Sequence, residues 1–186
     1  MSNVKTSITL FNDTDYAAQI TVKKEEQIIA FMPSIEPGQK VIVPTTNTYE
    51  VIASTVIDGN TYFSAPFTVT GSTGFLAQVI QEYKQGTYVF DVQEVGSTSS
   101  SELQFQSTWR GTVNFSIQKD GKELQSVICS QGFLMTSITL GDTYSFQAVI
   151  NGVTTDLFYT TNPNATCTAV NDTAARNSGF YTVLLK

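Results

Sequence analysis

The sequence predicts an all-β chain of two tandem, mutually similar β-sandwich units, jelly-roll or Ig-like, arising by internal duplication. Three observations carry this expectation: strict apolar/polar alternation, two-residue turn signals between β-rich runs, and a self-similarity that runs the length of the chain. Ile8 and Leu10, then Ile20 and Val22, stand two apart with polar residues between them. That is the period of a strand with one buried face. Asp58-Gly59, Asp120-Gly121 and Asn151-Gly152 each separate two such runs. A type I′ hairpin needs positive φ at both central residues, which Asp or Asn followed by Gly supplies. Pro37-Gly38 and Gly141-Asp142 mark turns before 41–43 and 144–150. Short strands at this spacing argue for a sandwich or barrel.

The repeat is read by aligning Ile8-Thr9-Leu10-Phe11 with Leu103-Gln104-Phe105-Gln106, an offset of 95 (103 − 8). The same offset carries Ile20 and Val22 onto Phe115 and Ile117, Lys24 onto Lys119, and Tyr49, Val51 and Ala53 onto Tyr144, Phe146 and Ala148. It then drops to 93 (149 − 56), leaving Ser54-Thr55 without a counterpart, and Gly86-Thr87-Tyr88 falls on Gly179-Phe180-Tyr181. The expected units are 1–96 and 97–186. Gly96-Ser97-Thr98-Ser99-Ser100-Ser101 between them has the composition of a flexible linker. Phe75, Leu76, Val79, Ile80 and Tyr83 fit a helical face or a strand. Their counterparts from Thr168 to Ser178, with Asp172, Thr173 and Arg176, do not fit a helix, so a hairpin turning at Lys84-Gln85-Gly86 is expected.

Composition narrows function mostly by exclusion. The chain has 186 residues, 41% hydrophobic and 14% charged, and a net charge of −6. The ten Lys and Arg are scattered, so the clustered cations that bind phosphate backbones or anionic lipid are missing, and no nucleic-acid partner is expected. The start shows no apolar signal segment and no apolar run approaches a membrane helix. The expectation is a soluble protein, cytoplasmic as synthesised, with a non-classical route if it acts outside. The first half carries −5 (five Lys/Arg, ten Asp/Glu) and the second −1 (five and six), which makes the second half the better candidate for self-association into a homo-oligomer.

The chain contains no His. That removes the Ser-His-Asp triad, the Cys-His dyad and His-bearing zinc sites. Cys129 and Cys167 are too few for a four-cysteine zinc site, and read as a disulfide or as two buried thiols. No glycine-rich phosphate loop is present. Paired carboxylates stay formally open, but most acids fall at turns. Asn12-Asp13-Thr14-Asp15 is a compact acidic loop, better read as a polar turn than as a calcium loop. No enzyme, cofactor or metal is expected.

Aromatic residues give the sharper expectation. Trp109, the only Trp, precedes Arg110 at the first turn of the second half, and Asp15-Tyr16 lies near the equivalent place in the first. An exposed ring beside polar groups can cover the C–H face of a sugar while its neighbours take the hydroxyls. Counting by twos instead puts both rings in phase with the buried set. The candidate ligand-binding residues are Trp109, Arg110, Tyr16 and Asp15. The expected function is non-enzymatic recognition of a surface glycan, glycolipid, lipid or protein. A membrane-active, pore-forming or toxin-like protein and a self-assembling structural subunit are the alternatives.

Overall fold

The computed structural model describes residues 6–46, 48–130, 132–172 and 180–186. Every regular element in it is a strand. In chain order these are β1 (Ser7–Asp13), β2 (Ala18–Lys24), β3 (Gln27–Ile35), β4 (Lys40–Pro44), β5 (Tyr49–Ile57), β6 (Asn60–Phe63), β7 (Phe67–Val69), β8 (Thr73–Glu82) and β9 (Thr87–Val95). There follow β10 (Glu102–Ser107), β11 (Val113–Lys119), β12 (Lys122–Cys129), β13 (Met135–Thr139), β14 (Tyr144–Ile150), β15 (Val153–Thr154), β16 (Phe158–Thr160), β17 (Thr166–Asn171) and β18 (Tyr181–Leu185).

The local expectations hold. The alternating positions Ile8, Leu10, Ile20 and Val22 are fully buried. Asp58-Gly59, Asp120-Gly121 and Asn151-Gly152 all turn with positive φ at both residues. Residues 73–95 form the expected hairpin, β8 against β9, with Gly86 at φ +65° in its turn. The second-half counterparts Thr173 and Arg176 lie outside the described residues. One turn escaped the sequence: Glu25-Glu26 joins β2 to β3 with Glu25 at φ 50°. Its amide donates to the Thr143 carbonyl, and its carboxylate accepts from the Thr143 amide.

The division into units differs from the expected one. The compact units are Met1–Thr46 with Gly141–Lys186, here unit 1, and Asn47–Leu140, here unit 2. Unit 1 holds the sheets β18-β17-β1-β4 and β15-β14-β2-β3, with β16 pairing β14. Unit 2 holds β9-β8-β10-β13 and β6-β5-β11-β12, with β7 pairing β5. Each unit therefore takes four strands from one half of the sequence and five from the other. Residue 96 is not a unit boundary. The chain instead passes from one unit to the other at 46–47 and again at 140–141, crossings 94 residues apart (140 − 46), within one residue of the offset of 95 read from the sequence.

The supposed linker is an ordered loop inside unit 2. Ser97 Oγ donates to the Ser99 carbonyl, the Thr98 amide donates to Gln104 Oε1, and Leu140 donates to the Ser101 carbonyl. Repartitioning also reverses the charge asymmetry. Unit 1 has six Lys/Arg and eight Asp/Glu, for −2; unit 2 has four and eight, for −4.

Similar pairings occur in both units. The parallel pair β1–β17 in unit 1 has β10–β8 in the same place in unit 2. Lys24 stands 5.8 Å from the Tyr144 ring centroid in unit 1, and Lys119 stands 5.5 Å from Tyr49 in unit 2. Each pair joins opposite sequence halves. In unit 2 the two sheets meet through Phe75 and Phe105 on one and Phe115 on the other, with centroids 5.1–6.4 Å apart. All three are buried, each contributing about 2 kcal/mol through loss of apolar surface to water. Ile8, Leu10, Ile20, Phe146 and Ile150 form the corresponding core of unit 1.

The register corrects two alignments. Tyr181 faces Asn171 where Phe90 faces Val79, so Tyr181 answers to Phe90 rather than Tyr88. The step after Ala53 is also larger than two residues. Ala53 and Ser64 exchange the same hydrogen bonds as Ala148 and Thr155, which leaves ten residues (54–63) in one hairpin and six (149–154) in the other. The β5–β6 hairpin thus has four pairs and β14–β15 two.

Candidate functional site

The four candidate residues fall into two groups that the fold keeps in separate units. Asp15 and Tyr16 sit on the β1–β2 loop of unit 1; Trp109 and Arg110 sit on the β10–β11 loop of unit 2. Each loop springs from a fully buried polar residue at the same position, Asn12 and Ser107, offset by 95 (107 − 12).

In unit 1 the Asn12 amide donates to the carbonyls of Tyr16 and Ile35, and its oxygen accepts from the Thr14 amide and hydroxyl. The Thr14 hydroxyl also reaches the Tyr16 carbonyl. A short Asn/Thr/Asp loop closes on itself in this way because its side chains can replace backbone partners. Asp15 accepts from the Asn171 amide. Tyr16 is exposed although counting by twos puts it in phase with the buried set, because β1 ends at Asp13 and the loop breaks the alternation; its ring meets Tyr181 edge-on at 6.3 Å. This end is polar and is closed by its own side-chain hydrogen bonds.

In unit 2 the Ser107 hydroxyl accepts from the Trp109 amide, and the Thr108 amide donates to Ala77. Trp109 is half-buried, neither a core ring nor an open platform. Its indole folds back over Gly111, where any Cβ would run into the ring. Nε1 is shut off from water with no acceptor among the described residues. Arg110 is exposed.

Beside this loop stands the β12–β13 turn, which the sequence did not single out. Gly132 packs against the Trp109 backbone. The Phe133 amide donates to the Ser107 carbonyl at 2.6 Å, the counterpart of Gly38 donating to Asn12 at 2.7 Å in unit 1. Gly38 has φ +76° and Phe133 has φ +70°. An aromatic residue thus occupies a left-handed position that unit 1 fills with glycine. Such a conformation is costly for a side chain with a Cβ. The ring gains no burial in return: Phe133 is 69% exposed, Leu134 58% and Met135 52%. The signal was available, because the offset of 95 puts Gly132-Phe133 on Pro37-Gly38.

A third feature lies on the outer face of the β6-β5-β11-β12 sheet. Ser54, Thr55, Val56, Thr61, Thr112 and Asn114 line an open cavity of about 340 Å³. Thr112 follows directly on the Trp109-Arg110-Gly111 turn. The extended hairpin that supplies Val56 and Thr61 carries Asp58 at its tip, and the negative charge of its carboxylate pushes the Tyr88 phenol above its ordinary pKa.

The thiols are inert. Cys129 belongs to unit 2 and Cys167 to unit 1; both are free and buried, and burial pushes Cys167 up to about 12. Among the described residues no three His, Cys, Asp or Glu side chains gather as a metal site, and no helix is long and apolar enough to cross a membrane. Comparison of the chain with protein-family models, with curated proteins and with solved structures finds no match.

Proposed function

We propose that the chain, built by internal duplication, is a non-enzymatic binding protein that recognises a cell-surface glycan, glycolipid or protein through one end of unit 2. That end comprises Trp109, Arg110, Phe133, Leu134 and Met135. The observation that carries the reading is Phe133: exposed, and in a backbone conformation that its counterpart Gly38 adopts freely. Strain kept where it brings no packing is characteristic of sites selected for contact with something else. The two loops carry Arg110 and no acidic residue, in a unit whose net charge is −4, so this end is free of the surrounding repulsion. Rigid aromatic and aliphatic anchors around one Arg are the side chains that dominate binding interfaces.

The same apolar triplet favours a second reading, a membrane-active protein, because consecutive exposed apolar residues at a loop tip can enter the interfacial zone of a bilayer. One experiment addresses both. Wild-type protein is tested on a glycan array and by co-sedimentation with phosphatidylcholine vesicles, with and without glycolipid, and dye release is recorded. The expected result is binding to at least one surface, lost in Phe133→Gly and Trp109→Ala and retained in Phe11→Ala, a unit 1 control. Binding that persists in Phe133→Gly would sink the assignment of this end. Dye release alongside binding selects the membrane-active reading.

A further inference from the structure

The cavity on the outer sheet face of unit 2 differs in chemistry from the apolar loop end. Its wall offers three hydroxyls, of Ser54, Thr61 and Thr112, and the Asn114 carboxamide. None of these four side chains has a hydrogen-bond partner among the described residues, and Asn114 Oδ1 is shut off from water without a donor. Three hydroxyls free of protein partners on the wall of one cavity, beside a carboxamide whose own hydrogen bonds are not all met, are groups that a ligand can serve.

Register shows what else stands on this face. Ile128, Asn114, Ser54 and Phe63 are directly opposite one another across β12, β11, β5 and β6. Opposed residues in antiparallel strands share a face, with Cβ atoms roughly 5 Å apart. The polar pair is therefore flanked by Ile128, 60% exposed, and by Phe63, 68% exposed. Among the described residues no charged side chain lines the cavity. Unit 1 lacks the equivalent wall, because Val56 and Thr61 form one of the two pairs by which β5–β6 exceeds β14–β15.

We propose that this cavity binds a neutral saccharide unit, with Ser54, Thr61, Thr112 and Asn114 exchanging hydrogen bonds with its hydroxyls and Phe63 covering its C–H face. Hydroxyls and a carboxamide both donate and accept, which suits a ligand made of hydroxyls. An aromatic ring beside them suits the apolar face of a pyranose. The volume lies at the small end of ligand pockets, which fits one sugar residue rather than an extended chain. The site uses different residues from the loop end, so the two assignments can fail separately.

The test is saturation-transfer NMR with the methyl glycosides of glucose, galactose, mannose and N-acetylglucosamine, and with methyl glucuronide as a charged control. Saturation transfer to at least one neutral glycoside is expected. Its affinity should fall on the order of tenfold in Asn114→Ala and in Thr61→Val, the loss of about one hydrogen bond. It should be unchanged in Phe133→Gly. Thr61 is exposed on a hairpin, so Thr61→Val reports even if Asn114→Ala melts early. The proposal is overturned if no neutral glycoside shows transfer, if transfer survives in the Asn114→Ala/Thr61→Val double variant, if it is lost in Phe133→Gly instead, or if the glucuronide binds equally well.

Discussion

The β1–β2 and β3–β4 loops of unit 1 and the β10–β11 and β12–β13 loops of unit 2 stand on the same scaffold position and have opposite chemistry. The first pair is knotted by Asn12, which serves four hydrogen-bond contacts, and turns on Gly38. The second is held more sparingly by Ser107, turns on Phe133, and leaves an indole nitrogen without a partner among the described residues. The strand order beneath them is the same, so the difference does not follow from the topology. One end is closed by its own side-chain hydrogen bonds and the other leaves its aromatic and aliphatic side chains exposed, which is the difference the proposed contact role of unit 2 calls for.

The largest test concerns the scaffold itself. If each unit needs strands from both halves, residues 1–96 alone and 97–186 alone should each lack cooperative unfolding, whereas the two co-expressed should associate and melt as the intact chain does. A cooperative melt of 1–96 by itself would mean that units follow the sequence halves, and the comparison of loop ends would lose its common frame.

The next effect probes the polar end. Asn12→Ala leaves buried carbonyls unserved and should cost about 3 kcal/mol in urea unfolding. Ser107→Ala removes one acceptor and should cost about 1 kcal/mol. Equal costs would show that the two ends are held with equal economy after all.

A smaller effect has opposite signs at the two ends. Phe133→Gly relieves a left-handed aromatic residue and should raise stability by about 1 kcal/mol; Gly38→Phe imposes the same strain and should lower it by about as much. A Phe133→Gly variant that is less stable than wild type would mean that the ring contributes packing and is not held out for contact.

The smallest effect near neutrality separates the thiols, one in each unit. The Cys167 thiol titrates at about 12 in the fold, against about 8.5 in an unfolded chain. A raised folded pKa favours the protonated native form, so its contribution is complete below about 8.5 and is lost as pH rises toward 12. By pH ~9 the loss is about 1 kcal/mol, and Cys167→Ala should remove that slope. Cys129 is raised by burial too, but a hydrogen bond with Thr136 lowers it, so Cys129→Ala should change the slope less.

The strands and turns were legible in the sequence because their causes are local. Ile8 and Leu10 alternate, and Asp58-Gly59 turns, whatever lies opposite. The pairing of halves was not legible, for a related reason. Alternation decides which face of β1 is buried, but β8 and β17 carry the same pattern, and nothing in it tells β1 to choose the distant β17. The Ser-rich composition of 96–101 reads as a linker only until Gln104 is seen to anchor it. Of the candidate residues, Tyr16 proved exposed and Trp109 half-covered. The outward set at Phe133 was hidden because an aromatic residue in a strand-rich chain reads as core. The hairpin step at Ser54-Thr55 was visible as a gap in the alignment, although its meaning as a cavity wall needed the strand register.

The two crossings at 46–47 and 140–141 bear on how the chain can fold as it is synthesised. Unit 2 is encoded by one continuous stretch and can close once residue 140 has left the ribosome. Unit 1 cannot: β1 is made before unit 2, yet its parallel neighbour β17 and that strand's partner β18 are made after it. Through most of synthesis the apolar faces of β1 and β2 have no native neighbour except β4 and β3. The chain must hold a half-finished sheet open while a complete unit forms downstream. Long-range pairing of this kind folds slowly and leaves edges exposed to other copies. The strand that waits longest for its native neighbour is therefore β1.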